Sequence, residues 1–122
     1  KRYPWGDTID HDKANYFGFP ARFDYDKGYA GNDTRFSAGE EPHTAPVGTF
    51  PPNAYGLFDM GGNIWEWCWE WSPAAPNAHR MMRGGSWLYS ADYCRAASDL
   101  NNMYPEYTSP TVGFRCVLTA AE

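Results

Sequence analysis

Four tryptophan residues stand on alternate positions, 65, 67, 69 and 71, with Glu66, Cys68 and Glu70 between them. An alternation with period two is that of a β-strand, whose successive side chains point to opposite faces of a sheet. The sequence therefore predicts a strand over residues 63–71 that carries all four indoles on one face. A face of that bulk is apolar, so we expect it to be buried.

The other regular elements are predicted to be short. Adjacent prolines exclude a helix over residues 46–52 and favour an extended edge strand there. Residues 57–60 predict one helical turn, ended by Gly61 and Gly62. Residues 1–47 show neither helical nor strand periodicity and are predicted to form a long loop. Three further strands are predicted over residues 80–87, 93–97 and 112–118.

These elements define the expected fold class. We expect an irregular, loop-rich α+β fold with short antiparallel strands and low helix content. A chain of 122 residues leaves room for one domain, which we place over residues 1–122.

Charge and cysteine usage exclude several classes of protein. The net charge is −5 and the ten Lys and Arg residues are scattered, so no basic surface for nucleic acid is expected. No stretch approaches the roughly 18 consecutive apolar residues of a membrane span. The cysteines at positions 68, 94 and 116 are too few for a four-cysteine zinc site, and either one disulfide or three reduced thiols is compatible with them. The compartment stays open, with an extracellular or periplasmic location favoured.

Seven short blocks, in order along nearly the whole chain, resemble the formylglycine-generating-enzyme family, also called sulfatase-modifying factors. The blocks are residues 3–6, 14–16, 44–48, 51–67, 83–87 (Arg-Gly-Gly-Ser-Trp), 94–97 and 113–115 (Gly-Phe-Arg). The resemblance implies a fold related to C-type lectins and corresponds to the C-terminal half of the family domain. It also implies a partner, the N-terminal half of the same domain, which would cover the indole face.

The resemblance further implies two structural calcium ions. The second family site corresponds here to Asp59, Gly62, Ile64 and Glu66. Calcium is bound by six to eight oxygen atoms, and a sharp Gly-Gly turn would expose carbonyls between the two carboxylates. The alternative is that Asp59 and Glu66 are solvated turn residues.

The first family site corresponds to Asn15 and Tyr16, through an Asn side chain and the next carbonyl. One downstream acid would complete it, and the loop spacing departs from the family pattern. The candidates for that acid are Asp33, Glu40 and Glu41.

Catalysis is an open question for this chain. The family's oxidases bind copper(I) on two thiolates a few residues after Arg-Gly-Gly-Ser, because a soft metal needs soft ligands. Residues 88–92 stand at those positions here and contain no cysteine. Oxidation of a sulfatase cysteine to formylglycine is therefore disfavoured, and it remains an alternative if this alignment of the segment is wrong or if Cys94 acts together with Cys68. Copper is a disfavoured cofactor for the same reason.

A second catalytic branch, the non-haem-iron sulfoxide synthases, uses histidines from an additional helical domain. The histidines of this chain are widely separated and do not predict an iron site. They are His11, His43 and His79.

The segment 88–111 is rich in Tyr, Ser and Asn, residues typical of binding loops. The family includes display proteins diversified by retroelements, whose variable positions lie in this stretch. We therefore expect a protein, peptide or glycan ligand, the alternative being ordinary polar loops. The candidate ligand-binding residues are Trp87, Tyr89, Tyr93, Ser98, Asp99, Asn101, Asn102, Tyr104 and Tyr107. Separately, Arg83, Arg95 and Arg115 are predicted to pair with acids or loop carbonyls.

Overall fold

A computed structural model describes residues 1–118 of the chain. Regular structure in that range consists of four short strands: β1 Trp65–Trp71, β2 Arg80–Arg83, β3 Asn101–Met103 and β4 Val112–Gly113. Residues 1–118 contain no helix, and hence none that could cross a membrane. The predicted loop-rich fold with low helix content is confirmed.

The four strands form one sheet in the order β3-β2-β1-β4. The β1–β2 and β2–β3 pairs are antiparallel, as the sequence predicted, whereas β1 and β4 are parallel. The parallel pair is short and joins Trp65 to Val112 and Glu66 to Gly113. The end of the chain therefore returns to the start of β1, where the candidate calcium residues lie.

The predicted indole strand is present, but its buried face is not continuous. Trp65 is buried and Trp67 half-buried, whereas Trp69 is 88% exposed and Trp71 is 36% exposed. Strand β1 advances four residues from Trp67 to Trp71 while β2 advances two, so the ladder carries a bulge. Within residues 1–118, β1 has no strand partner beyond the bulge on its β4 side. The expectation that all four indoles are buried is wrong for Trp69 and Trp71.

Cation–π contacts shield the two exposed indoles in part. The Arg80 guanidinium lies 3.6 Å from the ring centroid of Trp71 and 4.8 Å from that of Trp69. Both rings therefore lie on the same side of β1, as the alternation of residues in a β-strand predicts.

Several predicted elements are shorter or absent. Strand β2 ends at Arg83 because Gly84 and Gly85 adopt φ of 96° and 75°. Residues 93–97 form turns, with Tyr93 N donating to Ser90 O at 3.1 Å, so the predicted strand there is wrong. No strand forms over 46–52 and no helical turn over 57–60, and beyond Gly113 the predicted last strand does not continue through 118.

A second packed region lies in the long N-terminal loop. Its buried cluster consists of Tyr3, Ile9, Ala14, Tyr16, Ala91 and Cys94. Tyr3 donates its hydroxyl to the carbonyl of Ala91 at 2.9 Å, across 88 residues of sequence. This region contains no second sheet among the described residues. Packed aromatic rings and isolated backbone bridges, such as that between Ile9 and Asp26, stabilise it instead.

Candidate functional site

The Gly61-Gly62-Asn63 bend is held by backbone hydrogen bonds to two distant segments. Gly62 N donates to Gly84 O at 2.7 Å, and Asn63 N donates to Asn15 O at 2.7 Å. Gly62 has φ of 79°, and a Cβ there would lie 2.5 Å from Asn15 O. Only glycine fits this close approach of backbones.

The Asn63 side chain extends this connection. Its Oδ1 accepts the Ala45 N–H at 2.8 Å and the Asn15 side-chain amide at 3.2 Å, and its Nδ2 donates to Ala45 O at 3.2 Å. Asn63 is buried, so these bonds satisfy a side chain that would otherwise be costly to bury. The sequence placed Asn63 at the start of the predicted strand 63–71 without assigning it a role.

A pocket of about 410 Å³ opens beside this bend. All four residues of the predicted second calcium site line it, namely Asp59, Gly62, Ile64 and Glu66. Asp59 adopts φ of 53°, and its Oδ2 accepts the Gly48 N–H at 2.8 Å. Its Oδ1 is buried and has no hydrogen-bond partner within residues 1–118.

Arg115 lies in the same pocket and binds Glu66 through two nitrogen atoms. The distances are 2.7 Å from Nε to Oε2 and 2.5 Å from Nη2 to Oε1. Arg115 also donates to the carbonyls of Phe58 and Asp59, at 3.0 and 3.2 Å. The hydrogen bonds to Glu66 raise the pKa of Arg115, which stays cationic. The predicted pairing of Arg115 with an acid is confirmed.

The donor set of this pocket fits a hard cation. Two carboxylates line it, and the unpartnered Oδ1 of Asp59 is an anionic oxygen of the kind calcium prefers. In residues 1–118 no group of three His, Cys, Asp or Glu side chains is arranged to hold a metal, so carbonyl oxygens would have to complete the shell. Each oxygen of Glu66 accepts a hydrogen bond from Arg115 in this structure.

In the predicted first calcium site, the hydrogen bonds of Asn15 and Tyr16 use the side-chain amide nitrogen and the hydroxyl, and neither is an atom that would bind the ion. The Asn15 amide donates to His43 O at 2.9 Å, and the Tyr16 hydroxyl donates to Asp26. Burial and that bond to Asp26 raise the pKa of Tyr16. Among the candidate acids, Asp33 is buried and bound by an arginine, whereas Glu40 and Glu41 are exposed. Within the described residues neither Asn15 nor Tyr16 hydrogen-bonds any of the three.

The predicted ligand-binding residues divide into buried and accessible groups. Trp87 and Ser98 are 1% and 2% exposed, so neither offers area to a ligand in this conformation. Tyr89 and Tyr93 are half-buried and pack edge-on against Trp65, with centroid distances of 5.3 and 5.8 Å. Asp99 and Tyr104 are exposed, and Asn101, Asn102 and Tyr107 are partly accessible, as Tyr89 and Tyr93 are.

A second pocket, of about 340 Å³, contains two of the accessible candidates, Asp99 and Asn102. The ends of β1 and β2 supply its other walls, among them Trp71, Met81 and Arg83. Asn102 is fixed on β3, where its Oδ1 lies 2.8 Å from His79 Nδ1. The pocket therefore combines an indole, a carboxylate and an amide on partly rigid backbone.

Arg83 and Arg95 also behave as the sequence predicted. Arg83 donates to Ser98 O at 2.7 Å and lies 3.8 Å from Glu70. Arg95 donates to Asp92 O at 2.8 Å. Both arginines therefore fix loop carbonyls, which stabilises irregular backbone.

The three cysteines are free and occupy different environments. Cys94 is buried in the N-terminal cluster, and burial raises its pKa to about 12. Burial also raises the pKa of the half-buried Cys68 thiol. Cys116 is exposed.

The comparisons with known proteins agree with this fold. A family model described as a sulfatase-modifying factor enzyme 1-like domain matches residues 1–120. A formylglycine-generating enzyme of Thermomonospora curvata is 33% identical over 94% of this chain and 42% of its own length. An inactive C-alpha-formylglycine-generating enzyme 2 of Bos taurus is 34% identical over 93% of this chain and 36% of its own.

Two solved structures are also similar. PvdO from Pseudomonas aeruginosa has a TM-score of 0.56 and 27% identity, covering 93% of this chain and 42% of its own. Treponema denticola variable protein 1 has a TM-score of 0.53 and 37% identity, covering 58% of this chain and 30% of its own.

Fold and pocket together define a loop-rich domain built around a Gly-Gly-Asn bend. The chain belongs to the sulfatase-modifying factor enzyme 1-like family, as the sequence blocks predicted. It spans less than half the length of the curated relatives it matches.

Proposed function

We propose that this chain is a noncatalytic, lectin-like binding domain that is stabilised by calcium and presents residues 88–111 to a protein, peptide or glycan. The observation that carries the proposal is the second pocket, where Asp99 and Asn102 meet Trp71. An aromatic ring beside an acid and an amide offers a stacking surface and oriented hydrogen bonds, as ligand sites commonly do. The 37% identity to a Treponema denticola variable protein is consistent with a display role.

Oxidation of a sulfatase cysteine is the less favoured alternative. The positions after Arg-Gly-Gly-Ser, residues 88–92, contain no cysteine, so the pair of thiolates that copper(I) needs is not found there. A relative that is 34% identical is named an inactive enzyme, so membership of the family does not by itself imply catalysis. Copper(I) titration with dioxygen uptake on a cysteine-containing peptide tests this alternative, and we expect no uptake.

Binding is tested on glycan and peptide arrays with the purified protein. Asp99→Asn combined with Asn102→Ala should abolish the binding seen with the wild type, because both side chains line the pocket. The matched control is Glu106→Gln, an exposed acid of the same segment that does not line either pocket. Equal loss in the control, or no loss in the double variant, contradicts this location of the site.

Calcium is proposed to act at the pocket beside the Gly-Gly bend. Support comes from the position of Asp59, Gly62, Ile64 and Glu66 around one cavity. Bound calcium should raise the melting temperature in proportion to the logarithm of its concentration, because it binds only the folded state. A melting temperature that is identical in calcium and in chelator contradicts this part of the proposal.

The N-terminal half of the family domain is proposed as a partner that covers the end of β1. Trp69 is 88% exposed and, with Trp71, forms an aromatic surface next to open sheet backbone. Exposed contiguous aromatic area of this kind marks an interaction site. Trp69→Ser should weaken association with that half in pull-down experiments, whereas exchange of the exposed Tyr55 for Ser, on a separate loop, should not.

A further inference from the structure

The guanidinium of Arg115 holds both oxygen atoms of one carboxylate of the proposed calcium site, and two neighbouring carbonyls. Both oxygens of Glu66 accept from it, at 2.7 and 2.5 Å. The carbonyl oxygens of Phe58 and Asp59 accept from the same guanidinium. Four oxygen atoms that could ligate a hard cation are thus already bound to a positive charge.

One carboxylate oxygen of the pocket, Asp59 Oδ1, is not bound by Arg115. Asp59 Oδ1 is buried without a partner among residues 1–118, although the carbonyl of the same residue is bound by Arg115. A buried carboxylate oxygen without a partner is costly and attracts a cation. Arg115 satisfies Glu66 and leaves Asp59 Oδ1 unsatisfied, so this oxygen can attract an entering cation toward the guanidinium's place.

We propose that Arg115 is a tethered competitor of calcium, so that the pocket holds either the guanidinium or the ion at Glu66. A guanidinium and a divalent cation sharing one carboxylate repel each other strongly in a partly buried pocket. When calcium binds, Arg115 releases Glu66 and the two carbonyls. The inference rests on the proposed calcium site and adds that this chain regulates its own affinity for the ion.

Release of Arg115 has a structural consequence for the segment that follows β4. Phe114 is 74% exposed and Val117 is 88% exposed, so the apolar side chains of this segment contribute little packing. Arg115 is its anchor to Glu66 and to the 58–59 loop. Calcium binding would therefore free residues 114–118 from the pocket.

The test compares calcium affinities by isothermal titration calorimetry. Arg115→Gln should bind calcium roughly tenfold more tightly than the wild type, because the charged competitor is gone. Arg115→Lys should lie between them, since lysine keeps the charge and loses the two-nitrogen contact. Arg95→Gln, which removes an arginine bonded to a carbonyl outside the pocket, should match the wild type.

A second measurement uses the wild type and does not depend on a variant folding. The Nε–H of Arg115 donates to Glu66, so its nitrogen resonance should be shifted and slow to exchange. Saturating calcium should move this resonance to the position of a free arginine.

The outcomes separate this inference from the calcium proposal. If Arg115→Gln binds calcium as weakly as the wild type or more weakly, Arg115 does not compete, although the calcium site stands. If the Arg115 resonance is unchanged in the calcium-bound wild type, the competition is likewise overturned. If no variant binds calcium at millimolar concentration, both proposals fail together.

Discussion

Arg35 binds the buried carboxylate of Asp33 through two nitrogen atoms, Nε at 3.0 Å from Oδ1 and Nη2 at 2.7 Å from Oδ2. Arg115 binds Glu66 in the same manner. One of the three candidate acids of the first predicted calcium site, Asp33, and one acid of the second, Glu66, are therefore each paired with an arginine that follows it in the chain. In this protein, guanidinium groups neutralise two carboxylates that were candidates for binding metal.

Acid should weaken the Asp33–Arg35 pair. Burial raises the pKa of Asp33, but the hydrogen bonds and charge of Arg35 outweigh burial, and the net pKa is lowered. The unfolded value is about 3.9, so the stabilisation is complete above that pH and is lost as pH falls through the lower folded value. Urea unfolding between pH 2 and pH 6 should show this dependence, of the order of 1–3 kcal/mol.

Asp33→Asn should reduce that acid dependence and lower stability at neutral pH, because it removes the charge bound by Arg35. The exposed Asp24→Asn is the control and should leave the urea midpoint unchanged at neutral pH. An Asp33→Asn variant with unchanged acid sensitivity would assign that sensitivity to other carboxylates.

His11 contributes to stability through its ring and not through hydrogen bonds. It is buried between Tyr16 and Tyr29, with centroid distances of 4.7 and 3.9 Å and nearly parallel planes. Neither ring nitrogen has a partner within residues 1–118. His11→Phe should therefore stay within about 1 kcal/mol of the wild type, whereas His11→Ala should lose roughly 2–4 kcal/mol. Thermal unfolding checks both, and an equal loss would reveal that the nitrogens are bonded in solution.

The Gly-Gly bend should be sensitive to a single methyl group. Gly62→Ala places Cβ 2.5 Å from Asn15 O at φ of 79°, so strain of about 1–2 kcal/mol adds to a steric clash of about 1–3 kcal/mol. Gly56→Ala has nearly the same φ, 76°, with no atom within 4 Å, and should show the strain alone. Chemical denaturation measures the stability that each variant loses, and the difference between the two losses is the cost of the steric clash. Equal losses would show that the contact to Asn15 relaxes freely.

The indoles of β1 should differ sharply in their contribution to folding. Trp65 is 1% exposed and packs against Tyr89 and Tyr93, so Trp65→Ala should lose about 3–5 kcal/mol. Trp69 is 88% exposed and contacts Arg80, so Trp69→Ala should lose no more than about 1 kcal/mol. Urea midpoints of the isolated protein measure the difference. A large loss at Trp69 would mean that its ring is covered in solution.

The sequence determined those features that depend on neighbouring residues. The alternation of Trp65 to Trp71 specified β1, the glycine pair specified the bend, and the scarcity of periodic patterns specified a loop-rich chain. The ordered blocks identified the family. The same local signals failed over residues 93–97, where the sequence predicts a short strand and the folded chain forms turns.

Tertiary structure decided which side chains meet and which are covered. The Arg115–Glu66 pair joins positions 49 residues apart, and the Asn63–Asn15 contact joins positions 48 apart. Period two placed four indoles on one face, but β4 pairs only with the first two residues of β1, so the later indoles stay exposed. Periodicity reports the backbone geometry of one segment. Burial and ion pairing depend on which distant segments pack against it, and only the folded chain fixes those distances.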